Sequence, residues 1–187
     1  MRLEAFLAAL IAPALLSAPC ATAQSGNPRP NEIVQTSAYV SLAPVPRGRA
    51  FEIAVVAHIR AGYHINAHKP TLDYLIPTEV TPALPQGITI SDAVYPEGQM
   101  MKFPFSPTEL KVYEGEAVFR LHMHAAADAT LGPRDIPLQL EYQACNDRSC
   151  LPPVKVPVTA HLEIAPAGAV ANLAHPEIFS IPSGHSR

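Results

Sequence analysis

Two cysteines, Cys145 and Cys150, are the residues of this 187-residue chain best suited to covalent chemistry. They lie in the stretch "YQACNDRSCLPP", residues 142–153, with four residues between them. Three chemistries fit two close thiols: a structural staple, part of a metal site, or exchange with the thiols of a partner. Asn146 and Asp147 are turn formers and Ser149 tolerates turns, so the segment reads as a β-hairpin tip with the cysteines on the two strand ends. Such a tip brings two Cα atoms within disulfide range. A staple here closes a very short loop, which stabilises least in the chain-entropy description. Structural zinc commonly takes four ligands in two tight pairs. The second pair on offer, His122 and His124, lies on one strand face with nothing to set it beside the cysteines. Exchange needs a sulfur that a partner thiolate can approach, and a hairpin tip supplies one. Arg148 favours a thiolate in the loop while Asp147 beside it opposes one. On local chemistry alone, staple and redox pair stand level, with the metal reading behind both.

The elements that must position this tip are strands. Phe51, Ile53, Val55, Ala57 and Ile59 occupy alternate positions, as do Phe119, Leu121 and Met123. Ile136, Leu138, Leu140, Tyr142 and Ala144 form a third alternating series, and Val154, Val156, Val158, Ala160, Leu162 and Ile164 a fourth. Period two marks half-buried strands. Shorter strands are predicted at 36–42, 74–80, 88–95 and 110–114. Pro is abundant, at 21 residues, and its clusters "APVPRG", "TPALPQG", "FPFSP" and "LGPRD" separate most of the runs. Seven or eight short strands without a convincing helix predict an all-β, antiparallel β-sandwich. Pro137 and Pro157 suit edge strands or bulges, because Pro cannot donate to a ladder. Residues 24–34 read as a flexible N-terminal arm and 165–187 as a C-terminal tail, in which "AGAVANLA" has room for one or two helical turns. No internal repeat or second domain is evident.

The first two dozen residues read as a leader. "AFLAALIAPALL" is apolar but shorter than the ~20 residues a membrane span needs, and Ala21-Thr22-Ala23 is a small-x-small cleavage site. Residues 1–23 therefore read as a cleavable signal peptide. Cys20 has some look of a lipoprotein acceptor, which Pro19 before it disfavours. The expected product is exported, periplasmic in a Gram-negative host, and keeps two cysteines in an oxidising compartment where a close pair defaults to a disulfide. The net charge of −3 and the lack of a basic stripe give no case for a nucleic-acid partner.

The motif at 142–153 resembles the active-site hairpin of the N-terminal periplasmic domain family of the thiol:disulfide interchange protein DsbD, where Tyr-Gln-small-Cys precedes a short loop, a second Cys and a Pro pair. "GYHINAHKP" at 62–70, followed by "YLIPTEV" at 74–80, resembles that family's Gly-aromatic strand beside the cysteines. The likeness covers about residues 35–164. It implies an immunoglobulin-like β-sandwich that exchanges its dithiol with thioredoxin-like periplasmic partners, without a cofactor, in work such as cytochrome c biogenesis. Cys150 would form the mixed disulfides and Cys145 would resolve them. Tyr142, Gln143, Tyr63, His64, Asn66 and Arg148 would line the site. A cap loop within 97–115 would carry a shielding ring, Phe103 or Phe105. Two features depart from the family. Some members have five residues between the cysteines, and His64 and Asn66 stand where the best-known members have tyrosines. The resemblance also implies a membrane electron-carrying domain and a thioredoxin-like domain, here expected as separate molecules.

Two other readings fit the residue types. A non-catalytic β-sandwich assembly module with a structural disulfide is the main rival. His58, His64, His68, His122 and His124, with Met100, Met101 and Met123, have the ligand types for copper, but not the packed spacing of a copper site. Phosphate loops, nucleophile elbows and paired carboxylates are absent from the sequence.

Overall fold

The computed structural model describes residues 28–180. The expected signal peptide, its cleavage site and Cys20 lie outside the described residues. Fourteen strands follow one another in the described chain: β1 (Val34–Val40), β2 (Leu42–Ala43), β3 (Val45–Pro46), β4 (Ala50–Ile59), β5 (His64–Asn66), β6 (Glu79–Pro82), β7 (Ile88–Val94), β8 (Gln99–Met101), β9 (Leu110–Tyr113), β10 (Glu116–Ala125), β11 (Gly132–Tyr142), β12 (Ala144–Cys145), β13 (Val154–Ala165) and β14 (Asn172–Leu173). Two single helical turns complete it, α1 (Pro30–Ile33) and α2 (Pro176–Phe179).

The protein is an immunoglobulin-like β-sandwich. One sheet has the order β1-β4-β10-β7 and the second β3-β13-β11-β6. All their pairings are antiparallel except β13 with β3. The alternating residues seen in the sequence meet between the sheets. Phe51, Ile53, Val55, Phe119, Leu121 and Met123 come from the first, and Ile136, Leu138, Leu140, Leu162 and Ile164 from the second. Burying such rows from both sheets is what drives a sandwich to close. No helix among the described residues is long and apolar enough to cross a membrane.

A third, smaller sheet, β12-β5-β9-β8, carries the cysteine segment. It forms because the chain changes sheets at Gln143. Up to Tyr142 the chain pairs with β13 in the second sheet, and from Ala144 it pairs with β5 instead. The switch moves the hairpin tip off the sandwich and places it against β5 and β9.

Several expectations require correction. The strand predicted at 74–80 starts only at Glu79; residues 74–78 form an irregular loop whose carbonyls serve the site. Residues 30–34 of the expected flexible arm are part of the fold, with Ile33 and Val34 only 2% and 1% exposed. "AGAVANLA" is not helical: Asn172 and Leu173 pair with β2, and the helical turn comes later, at α2. Pro157 does fall on a free edge, because β13 there has β11 as its one sheet neighbour. Pro137 instead sits in the central strand β11. Its carbonyl accepts the Ala83 N–H (2.8 Å) just beyond the end of β6. Its missing donor therefore faces a place where β6 has already ended, which makes Pro tolerable there.

Candidate functional site

Cys145 and Cys150 form a disulfide across the hairpin tip. The tip is built by Asn146. Its side-chain oxygen accepts the Arg148 and Ser149 N–H groups at 2.9 and 3.0 Å, and its own N–H donates to the Ser149 carbonyl at 3.0 Å. This is the Asx-type turn for which Asn is suited. Below it, the Leu151 N–H donates to the Ala144 carbonyl (2.8 Å). The two sulfurs therefore have unequal surroundings. Cys145 lies in β12 and is 1% exposed, while Cys150, on the return side of the tip, is exposed. Asp147 and Arg148 are both exposed at the tip.

His64 stands directly opposite Cys145 in the β5–β12 ladder, so the two side chains share a sheet face. The His64 ring is 2% exposed and stacks on Phe103, with ring centroids 4.0 Å apart. Burial lowers its pKa from 6.5 to about 4, against the opposing pull of the Asp147 carboxylate, so the imidazole is neutral. The ladder sets His64 beside Cys145, the buried member of the pair. Glu114, after β9, has its carboxyl pushed above the usual range by burial and then by Asp147. The hairpin thus carries a carboxylate close enough to act on both His64 and Glu114.

The neutral His64 predicts a specific acid sensitivity. In the unfolded chain the imidazole takes up its proton near pH 6.5, and in the folded protein near pH 4. Between these values the unfolded state holds more protons, so stability rises with pH. It is full above about pH 6.5 and is lost progressively as pH falls to about 4. A shift of this size corresponds to a loss on the order of 3 kcal/mol. His64→Phe removes that component. Urea midpoints compared between wild type and variant from pH 7 to 4 should diverge steadily across this window; parallel curves would contradict the assignment.

Asn66 and Gln143 tie the hairpin to the rest of the site. Asn66 is fully buried, and its amide Nδ2 donates to the Ile76 carbonyl (2.9 Å) and to Gln143 Oε1 (3.3 Å). Gln143 Nε2 then donates to the carbonyl of Leu151, the residue after Cys150 (3.2 Å). Thr78 Oγ1 donates to the Asn66 carbonyl (2.5 Å), and the His68 Nδ1–H donates to the Thr78 carbonyl (3.1 Å). The amides thus link the 74–78 loop, β5 and the exit of the hairpin. Asn66→Ala leaves the Ile76 carbonyl and Gln143 amide short of a partner, for which about 1–3 kcal/mol is the usual cost. The expected reading is a lower urea midpoint with an unchanged slope.

Phe103 and Phe105 belong to the segment between β8 and β9. Phe103 packs with Leu110 and Val112 in a small apolar cluster of its own, flanked by Leu72, Leu75 and Met101. Phe105 lies outside Phe103, 40% exposed, with ring centroids 5.4 Å apart. The site residues read from sequence do not all converge. Tyr142 turns into the sandwich, where its hydroxyl donates to the Pro30 carbonyl (3.0 Å) and burial pushes its pKa up to about 12. Tyr63 packs against the edge of the main core. The histidines and methionines considered for copper are dispersed: His58 pairs with Glu116, and His68 stacks on Tyr95. Among the described residues no group of three or more His, Cys, Asp or Glu converges. Sequence reasoning missed Thr78 and Ile76, whose contacts span a loop that gives no periodic signal.

The family model described as "Thiol:disulfide interchange protein DsbD, N-terminal" matches residues 31–161. No curated protein matches the chain. Among solved structures, the chain is similar to the DsbD N-terminal domain of Neisseria meningitidis in the reduced form, at 19% identity over 78% of this chain and 93% of that one (TM-score 0.42). It is also similar to the N-terminal periplasmic domain of ScsB from Proteus mirabilis, at 15% identity over 76% of this chain and 52% of that one (TM-score 0.49). A third is the complex between the DsbD N-terminal and PilB N-terminal domains of Neisseria meningitidis, at 20% identity, 65% and 80% coverage and a TM-score of 0.35.

Proposed function

The chain belongs to the family of the N-terminal domain of the thiol:disulfide interchange protein DsbD, and on that premise we propose that it passes reducing equivalents between thioredoxin-like proteins through Cys145 and Cys150. The observation that carries this reading is the asymmetry of the pair: Cys150 is exposed at a hairpin tip and Cys145 is buried in β12. A partner thiolate reaches one sulfur and not the other. The setting is the periplasm, reached by way of a cleavable signal peptide, and the reductant comes ultimately from a membrane electron-transfer protein.

In the charging half-cycle, a thiolate of a reduced thioredoxin-like partner attacks Cys150 Sγ. The Cys145–Cys150 bond breaks, Cys145 leaves as a thiolate, and a mixed disulfide joins Cys150 to the partner. The partner's second thiolate attacks its own sulfur of that bond and releases Cys150. The partner is now a disulfide and this protein a dithiol; two electrons and two protons have moved. In the discharging half-cycle the Cys150 thiolate attacks the disulfide of an oxidised partner, and Cys145 resolves the resulting mixed disulfide. Exchange rates depend on thiolate fraction, leaving group and access, and the fold sets access.

The test is direct transfer. Oxidised protein mixed with a reduced thioredoxin-like domain, quenched in acid and labelled with a heavy maleimide, should gain two labelled thiols as the partner loses two. If the pair stays oxidised while the same partner reduces an unrelated protein disulfide, the reading is wrong and the structural-staple alternative stands.

A further inference from the structure

His64 has no part in the exchange steps above, yet it is the polar side chain that faces the buried cysteine. Its Nε2 is buried and has no hydrogen-bond partner. Buried polar atoms are satisfied in nearly all native sites, and the exceptions call for an explanation, redox or catalytic work among them. The residue opposite His64 in the ladder is Cys145, and opposed side chains on one face have Cβ atoms about 5 Å apart. In the oxidised protein the Cys145 sulfur is bonded to Cys150 and has no proton to share. Reduction changes that one property: Cys145 gains an S–H donor, or becomes a thiolate that accepts.

We infer that His64 Nε2 and Cys145 Sγ form a hydrogen-bonded pair in the reduced protein, making His64 a positioning residue that favours the dithiol and holds the Cys145 proton during resolution. This rests on the exchange reading of the pair. In resolution, Cys145 Sγ bonds to Cys150 Sγ as the Cys150–partner bond breaks, and the partner sulfur leaves as a thiolate. The Cys145 proton passes to the neutral imidazole and from there to the departing thiolate or to water. A buried thiol has no solvent to take its proton, so an adjacent acceptor matters more for Cys145 than for exposed Cys150.

The surroundings suit this role. The low pKa of about 4 keeps the ring an acceptor while the disulfide is intact. The charged groups on the surrounding elements are Asp147 and Arg148 at the tip, Glu114 after β9, and Lys102 in the cap segment. Asp147 raises the His64 pKa and so stabilises an imidazolium once it forms. Glu114 is itself held toward its neutral form. The Lys102 ammonium is engaged by the Pro107 carbonyl. Phe103, stacked on the ring, holds it in place.

The experiment compares wild type, His64→Phe and His64→Gln at equilibrium with glutathione redox buffers, scoring free thiols by alkylation. His64→Phe keeps a ring for Phe103 to stack on but has no nitrogen. It should disfavour the dithiol by about tenfold, which is a fall of about 30 mV for a two-electron couple. His64→Gln, whose amide can donate or accept, should recover part of that loss. In a Cys150→Ser background, His64→Phe should move the pH profile of Cys145 alkylation upward by about one unit, the size expected for loss of one hydrogen bond to a charged group. In wild type, the His64 imidazole followed by NMR should titrate lower in the reduced protein than in the oxidised, because an S–H donated to Nε2 stabilises the neutral ring. Equilibrium constants within threefold of wild type together with an unmoved alkylation profile would overturn the inference. So would a His64 titration indifferent to the redox state, a result that needs no variant to fold. A wild-type pair that glutathione does not reduce at all would instead overturn the exchange reading itself.

Discussion

Cys150→Ser is expected to abolish electron transfer, while Cys145→Ser accumulates a stable mixed disulfide with a thioredoxin-like partner. The difference follows from exposure. Cys145 is 1% exposed and Cys150 lies open on the tip. With Cys150 replaced, the remaining thiol is out of a partner's reach, so the loss should exceed about a thousandfold, the effect of removing a reacting group rather than weakening a contact. With Cys145 replaced, the first attack still occurs, but the sulfur that would release the partner is gone. Non-reducing gels of each variant, incubated with an oxidised thioredoxin-like domain, separate the cases: a covalent adduct with Cys145→Ser and none with Cys150→Ser. The opposite pattern would reverse the assigned roles.

Phe103→Ala is expected to make the disulfide roughly tenfold or more reactive toward a small thiol such as dithiothreitol, the effect of easing a local opening by about 1.4 kcal/mol. Phe103 stacks at 4.0 Å on His64, the residue opposite Cys145, and anchors an apolar cluster separate from the main core. Truncating a buried Phe usually costs about 3–5 kcal/mol. In a satellite cluster that cost falls on the segment between β8 and β9 rather than on the sandwich. Far-UV spectra should therefore stay native while the reduction rate rises. Phe105→Ala, on the more exposed ring, should change the rate less than about threefold, because it removes little buried area. Equal rates for Phe103→Ala and wild type would mean that Phe103 is ordinary packing and that the cap reading is wrong.

The sandwich was legible because its strands are long. Ten residues from Ala50 to Ile59 or twelve from Val154 to Ala165 display period two several times over, and that rhythm is what two packed sheets require. The hairpin tip was legible for a different reason, since Asn146, Asp147 and Ser149 carry turn chemistry in their side chains. The small third sheet was not. His64–Asn66 and Ala144–Cys145 are too short to show any period, and their pairing joins residues about eighty positions apart. The pairing that sets His64 opposite Cys145 therefore leaves no signal in the sequence. The Asn66–Gln143 contact is silent in the sequence for the same reason. Ile33 and Val34 were read as part of an arm because proline and polar residues precede them. Only the assembled core shows that they fill its edge. Pro137 was misplaced because the rule against central-strand proline depends on where the neighbouring strand stops, which is a tertiary fact.

The central claim is that the Cys145–Cys150 bond exists to be broken and remade. The measurement that bears on it most directly is its reduction potential, obtained by equilibrating the folded protein with graded thiol–disulfide buffers and counting free thiols. An exchanging pair should equilibrate reversibly at a potential above about −300 mV, where thioredoxin-like proteins work. A value well below about −300 mV, in the range of bridges that resist the glutathione pool, would contradict the account and leave the disulfide a structural staple.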